Sequence, residues 1–142
     1  MIERKMEDYD NPWQYKGKAI EQDDLDGHLA FVYCITNIKT KKAYIGKKLL
    51  QKTKTRQVKG KKKRTKIESD WKEYYGSNKQ LQEDVEKIGT KYFRREILHL
   101  CKTKGTANYL EMREQIDRRV LESDQWYNEW VMVKVHRSHI KL

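Results

Sequence analysis

Phe31-Val32-Tyr33-Cys34-Ile35-Thr36-Asn37-Ile38-Lys39-Thr40-Lys41-Lys42-Ala43-Tyr44-Ile45-Gly46 is the stretch that decides how the chain is read. Its first part, from Ala30 to Ile38, is rich in β-branched and aromatic residues. Its second part, Ala43 to Ile45, is short and ends on Gly46. Asn37 to Lys42 between them has the polarity of a hairpin connection. An antiparallel pair joined by a loop of this size brings Tyr33 and Tyr44 near one another on one face.

Outward from this hairpin, the chain is short, charged and basic. Its 142 residues suit one domain, or one with a tail. A formal net charge of +11 makes a polyanion the natural partner. No run of about 18 apolar residues is present to span a membrane, and no apolar leader opens the chain. Cys34 and Cys101 are isolated, which argues against a zinc site or a disulfide framework and fits a reducing cytoplasm. No internal repeat is visible.

Upstream of the hairpin, Met1 to Asp10 is charged and aperiodic. Asn11-Pro12-Trp13-Gln14-Tyr15 reads as a strap on the domain surface, and Glu21 to Asp26 as one helical turn. Residues 1–29 are therefore expected to form an extension packed on, or loosely tied to, a domain of residues 30–142. After Gly46 come Lys47 and Lys48, then an almost wholly basic and polar insertion, 51–66. It carries Lys52, Lys54, Arg56, Lys59, Lys61, Lys62, Lys63, Arg64 and Lys66. A block of like charge is normally solvated and mobile. With no aromatic for base stacking, it reads as a flexible clamp on phosphates that carries little sequence information.

Farther along, Glu68 to Gly76 reads as a short helix closed by Gly76. Ser77 and Gln80 have capping-box spacing for a helix with Leu81, Val85 and Ile88 on its apolar face, stopped by Gly89. Tyr92 to Leu100 reads as a strand. Asn108 and Glu111 have capping-box spacing for a second long helix ending near Leu121, with Tyr109, Met112, Ile116 and Val120 as its apolar stripe. Val131 to Val135 alternates like a terminal strand. His136 and His139 have no fixed third ligand candidate and are not read as a metal pair. The fold class is α/β (α+β), a small antiparallel sheet flanked by helices.

Phe31-Val32-Tyr33, followed ten residues later by Tyr44-Ile45-Gly46, resembles the paired signature of the GIY-YIG endonucleases. The second half matches to the letter. In the first, Phe31 and Val32 stand where the family has glycine and isoleucine. The resemblance extends from about Ala30 to Asn128, and the N-terminal strap and basic insertion are similar to small phage-encoded nucleases of this class. It implies a DNA endonuclease working with Mg²⁺ or Mn²⁺, without an organic cofactor, in the cytoplasm of a host cell. By the same resemblance Glu114 falls on the metal-binding glutamate and Asn128 on the downstream asparagine. Tyr74 falls on a histidine or tyrosine position. The family arginine has no match at Asp70-Trp71-Lys72, and Arg64 and Arg56 in the insertion are the two alternatives for it.

His99 is the only histidine in the matched region, so Tyr44 is the candidate base, oriented by Tyr33. A free phenol is only about a thousandth ionised at pH 7. Lys47, directly after Gly46, is the expected cation to favour the phenolate. A non-catalytic nucleic-acid-binding protein on a degenerate nuclease fold is the alternative. A ribosomal-type RNA-binding protein would leave the two tyrosines and Glu114 unexplained.

Overall fold

The computed structural model describes residues 9–131. Its strands are β1 (Gln14–Tyr15), β2 (Lys18–Ala19), β3 (Ala30–Asn37), β4 (Ala43–Leu49), β5 (Gln51–Val58), β6 (Lys61–Glu68) and β7 (Phe93–Cys101). Its helices are α1 (Gln22–Leu25), α2 (Lys79–Ile88) and α3 (Lys104–Asp117). Five strands form one sheet in the order β2-β1-β7-β3-β4, and β5 pairs with β6 in a separate ribbon. The central pairings are antiparallel, and β1 alone runs parallel to β7. The mixed α/β architecture expected from the sequence is present.

β3 is the middle of the molecule because both of its faces are apolar. Phe31, Tyr33 and Ile35 point to one side and join Trp13, Trp71, Leu81 and Phe93 in the larger core. Val32 and Cys34 point to the other and pack with Ile45, Cys101, Ala107 and Val120 beneath α3. A strand buried on both faces lacks strict alternation, as the run Phe31 to Ile35 shows. Trp13, taken from sequence as part of a surface strap, is fully buried. Its indole donates to the Trp71 carbonyl at 2.7 Å. From Tyr9 onward the N-terminal segment thus supplies both a strand and a core residue.

Several local expectations are corrected. The insertion read as a flexible arm is a regular hairpin, with β5 and β6 paired from Gln51–Glu68 out to Val58–Lys61. Lys59 and Gly60 both take positive φ, 50° and 75°, the requirement of a two-residue type I′ turn. Charge masked a run whose threonines, Val58 and Ile67 favour strand. Glu68 to Gly76 is not a helix: β6 ends at Glu68 and isolated turns at Asp70 and Trp71 follow. Asn78, not Ser77, caps α2, accepting from the Leu81 amide at 2.9 Å.

α3 starts earlier than the Asn108–Glu111 spacing implied. Thr103 caps it by accepting from Thr106 N–H, and Gly105 is accommodated in its first turn. The packed side of the helix also differs from the expected stripe. Ala107 and Gln115 face inward, while Tyr109 and Ile116 are exposed. Of the expected terminal strand from Val131 to Val135 only Val131 is described, packed against the core beneath α3; the rest, and the His136 and His139 pair, lie outside the described residues.

Candidate active site

β4 is an edge strand, and its alternation sorts the residues after the hairpin onto two faces. Tyr44, Gly46 and Lys48 lie on the side of Tyr33, whereas Ile45 and Lys47 lie on the side of α3. Tyr33 is paired across the strands with Gly46, and the rings of Tyr33 and Tyr44 are 6.1 Å apart. The Tyr74 ring stands edge-on to Tyr33 at 5.9 Å. Three of the sequence-selected phenols are therefore brought together at one end of β4.

The hydroxyls of this cluster differ. Tyr44 shares a 3.0 Å hydrogen bond with the Ser77 hydroxyl and remains partly exposed. The Tyr33 hydroxyl is fully buried and makes no hydrogen bond within the described chain. Burial, reinforced by the neighbouring phenols and by Glu111, holds the Tyr33 phenol well above its usual value. Burial also raises the Tyr44 phenol, opposed by the Ser77 hydrogen bond and helped by Tyr74 and Glu111.

Lys47 does not lie beside Tyr44 as expected. Three positions apart on a strand, the two side chains point to opposite faces. The Lys47 ammonium instead donates to the Asn108 side chain on α3. The cation on the tyrosine face is Lys48, whose ammonium stands 4.1 Å from the Tyr74 ring centroid and 2.6 Å from the Asp70 carboxylate. Lys48 holds the Asp70 carboxyl below its usual range.

The acidic residues on α3 diverge in the same way. Glu111 shares a helix face with Ala107 and Gln115, and this face lies along β4. Its carboxyl is raised by burial, against the charge and backbone amide of Lys47, and its field reaches both Tyr33 and Tyr44. Glu114 lies on the next flank. One carboxylate oxygen is 2.7 Å from His99 Nε2, and the other accepts from Arg118 at 2.9 Å. Burial raises the Glu114 carboxyl, but these two partners outweigh it and the net shift is downward. The glutamate selected from sequence is thus engaged over β7, while Glu111, which the sequence reading used only as a helix cap, lies beside Lys47 and adds its charge to the field at both tyrosines.

Asn128 is buried against Ile45. Its amide donates to the Ile45 carbonyl at 2.9 Å and its oxygen accepts the Ile45 amide at 3.1 Å, completing the open edge of β4. Gln115 donates to the same carbonyl at 3.1 Å. Arg56 and Arg64 are not at the cluster. They lie on opposite faces of the β5–β6 ribbon, about 16 Å and 13 Å along it from its base at roughly 3.3 Å per residue. The insertion lysines project from the same exposed ribbon.

Arg95 is a further residue that sequence reasoning passed over. It is buried, donates to the carbonyls of Lys72 and Tyr74 at 2.7 and 2.9 Å, and also reaches the Asn11 carbonyl. It thereby fixes the loop that presents Tyr74. A charged residue in a strand otherwise rich in core contacts was its only visible sign. Glu111 had a better one, its four-residue spacing from both Ala107 and Gln115.

A divalent cation can be tested against these side chains. Among the described residues no group of three or more His, Cys, Asp or Glu side chains is placed to hold a metal ion, so no all-protein cage is available. Mg²⁺ needs none: one or two carboxylates, with water and phosphate oxygens, satisfy it. Glu111, half-buried beside Lys47 where α3 meets β4, is a carboxylate of that kind.

In comparison with known proteins, residues 13–131 match the family described as "Putative endonuclease segE, GIY-YIG domain". No curated protein and no solved structure matches the chain significantly.

Proposed function

The chain belongs to the GIY-YIG endonuclease family and is a nuclease acting on phosphodiester bonds; from that premise we propose that it is a divalent-metal-dependent DNA endonuclease, phage-encoded and working in the host cytoplasm. The observation that carries the reading is the meeting, at one end of β4, of the Tyr33 and Tyr44 phenols, with the Tyr74 ring edge-on beside them. Net charge of +11 favours a nucleic-acid substrate.

Glu111, in place of Glu114, is the residue we assign to Mg²⁺ or Mn²⁺. When bound, the cation would stabilise negative charge on the scissile phosphate and the leaving oxygen. Tyr44 is the partly exposed phenol; once ionised, its phenolate would take a proton from the attacking water, and Ser77 fixes its hydroxyl. Tyr33 orients the water or Tyr44 from beneath. Lys48 stands on the same face as these phenols and supplies the phosphate contact for which the family uses arginine. Asn128 and Gln115 are positioning residues, because they hold Ile45 and so the line of Tyr44 and Gly46.

Plasmid DNA incubated with the protein, with Mg²⁺ and with chelator, tests the proposal. Nicking or linearisation with the metal, lost in Glu111→Gln and in Lys48→Met, is the expected result. Binding without cleavage under every metal condition would favour the non-catalytic alternative.

A further inference from the structure

The β5–β6 ribbon has no hydrophobic reason to exist. Both faces are exposed along nearly its whole length, and like charges stand directly opposite one another at Arg56 and Lys63. A two-stranded hairpin is marginal in water, and facing like charges weaken it further. Its register is nevertheless fixed, by the turn at Lys59 and Gly60. Such an element is suited to a polyanion that supplies the missing counter-charge.

The cross-strand register sorts the side chains into two chemically different faces. On one, Thr53, Thr55 and Gln57 of β5 stand opposite Lys66, Arg64 and Lys62 of β6. A row of neutral hydrogen-bonding groups thus runs beside a row of cations. On the other face are Lys52, Lys54 and Arg56 with Lys61 and Lys63, accompanied by Val58 and Ile67. The single hydroxyl there, Thr65, already donates to the Lys54 carbonyl at 3.3 Å. Threonine and glutamine can bond phosphate oxygens but add no charge there, and an uncharged row on one face is what direct contact with bases would use. Arg, Lys and Gln are the side chains that match base edges in pairs of hydrogen bonds, and a threonine methyl packs on thymine.

Resting on the proposal that the substrate is duplex DNA, we propose that the ribbon enters the major groove with its Thr55–Arg64 face toward the base edges. The lysines of the opposite face reach around to phosphates on the groove walls. Eight residues per strand make the ribbon about 26 Å long, the rise of seven or eight base pairs. A major groove about 12 Å wide admits a two-stranded ribbon, whereas a minor groove of about 6 Å does not. The deep, narrow major groove of A-form RNA excludes it as well. The insertion thereby carries sequence information and is more than a clamp.

The test uses the full chain carrying Glu111→Gln, so that selection of bound duplexes from a randomised library is independent of cleavage. The variant T55A/Q57A/R64K keeps every charge of the ribbon. It should bind with an unchanged salt slope but lose about tenfold in discrimination at the selected positions. The variant K52Q/K54Q/R56Q should flatten the salt slope while keeping the selected sequence. Methyl green, a major-groove ligand, should displace the protein, and netropsin, a minor-groove ligand, should not. A selected sequence unaltered by T55A/Q57A/R64K, no selected sequence at all, or displacement by netropsin alone would overturn the inference. Binding of double-stranded RNA as tight as that of DNA would do the same. Failure of the wild-type protein to cut plasmid would instead count against the nuclease proposal and leave this selection readable.

Discussion

The Tyr33 phenol lies directly over Gly46, its partner across the β3–β4 ladder. A Cβ at Gly46 would meet the Tyr33 hydroxyl, and would stand 2.7 Å from Tyr33 Cζ and 2.9 Å from Tyr44 Cε1. The glycine of the second motif is therefore the floor on which both phenols rest. Any side chain there must push one of them off the edge of β4.

Gly46→Ala should accordingly misplace the phenols without undoing the core that lies behind them. Cleavage is expected to fall by about a hundredfold, the usual penalty for displacing a reacting group by about an ångström. DNA binding should stay near wild type, because the ribbon is untouched. A kinetic comparison beside an affinity measurement checks this, and wild-type turnover in Gly46→Ala would remove the phenols from the chemistry.

Glu111 and Glu114 are separated by less than a helical turn but should respond in opposite ways. Glu114 has a folded pKa below its unfolded value. Its stabilisation is present above the unfolded pKa, near 4.3, and is lost as pH falls through the folded pKa. Glu114→Gln should cost about 1 kcal/mol at pH 7 through weaker bonds to His99 and Arg118, with the difference closing in acid. Glu111 has a raised folded pKa, so its ionised form opposes folding at neutral pH. Glu111→Gln should leave Tm unchanged or higher while abolishing cleavage. Thermal melts across pH, paired with plasmid assays, separate the two; a Glu114→Gln protein that folds but cannot cut would return the metal to Glu114.

The hairpin, the sheet and α2 were legible in the sequence because their signals are local: alternating β-rich runs, a polar turn, and an apolar row ended by glycine. The surroundings of the two glutamates were not. They depend on which side of α3 packs on the sheet, the Ala107–Gln115 side, which the apolar stripe of Tyr109, Met112 and Ile116 did not reveal. The cation on the tyrosine face was obscured differently. Strand alternation alone separates Lys47 from Tyr44, but only once β4 is seen to continue past Gly46 to Leu49. Lys48, on the tyrosine face by the same alternation, was read only as part of a basic run. The ribbon was hidden by its charge, which suggested a solvated coil although the β-branched positions and the Lys59-Gly60 turn were in plain view.

Arg95 ties four separate carbonyls from inside the molecule, and removing it should leave them part-buried without this donor. Arg95→Met keeps an unbranched stem but loses the guanidinium that stands over the Trp13 and Tyr75 rings and its bonds to Lys72, Tyr74, Asp10 and Asn11. Loss of about 3 kcal/mol is expected, since each stranded group costs roughly 1–3 kcal/mol and partial relaxation recovers some of it. Chemical denaturation measures this. A loss well below 1 kcal/mol would mean that water replaces the guanidinium and that the Tyr74 loop is held by other contacts.

The pH dependence of cleavage tests the base. Tyr44 is protonated at neutrality, and its folded pKa lies above the ordinary phenol value of 10.0. A base must be deprotonated to act, so the rate should climb with pH, close to tenfold per unit, and show no plateau below about pH 9. Lys47→Met should leave this climb in place, because Lys47 points away from Tyr44 toward Asn108. Its effect should fall on Glu111 instead. With the favourable charge gone, burial raises that carboxyl further, and a carboxylate must be ionised to hold a cation. More metal should then be needed at low pH, shifting the acid limit of metal binding upward. Tyr44→Phe should erase the alkaline climb and leave a slow, flatter residual rate. Ultraviolet difference titration of Tyr44→Phe against wild type locates the phenol directly, and rate profiles at several metal concentrations separate it from Glu111. A plateau near neutral pH that survives in Tyr44→Phe would rule out this phenol as the proton acceptor.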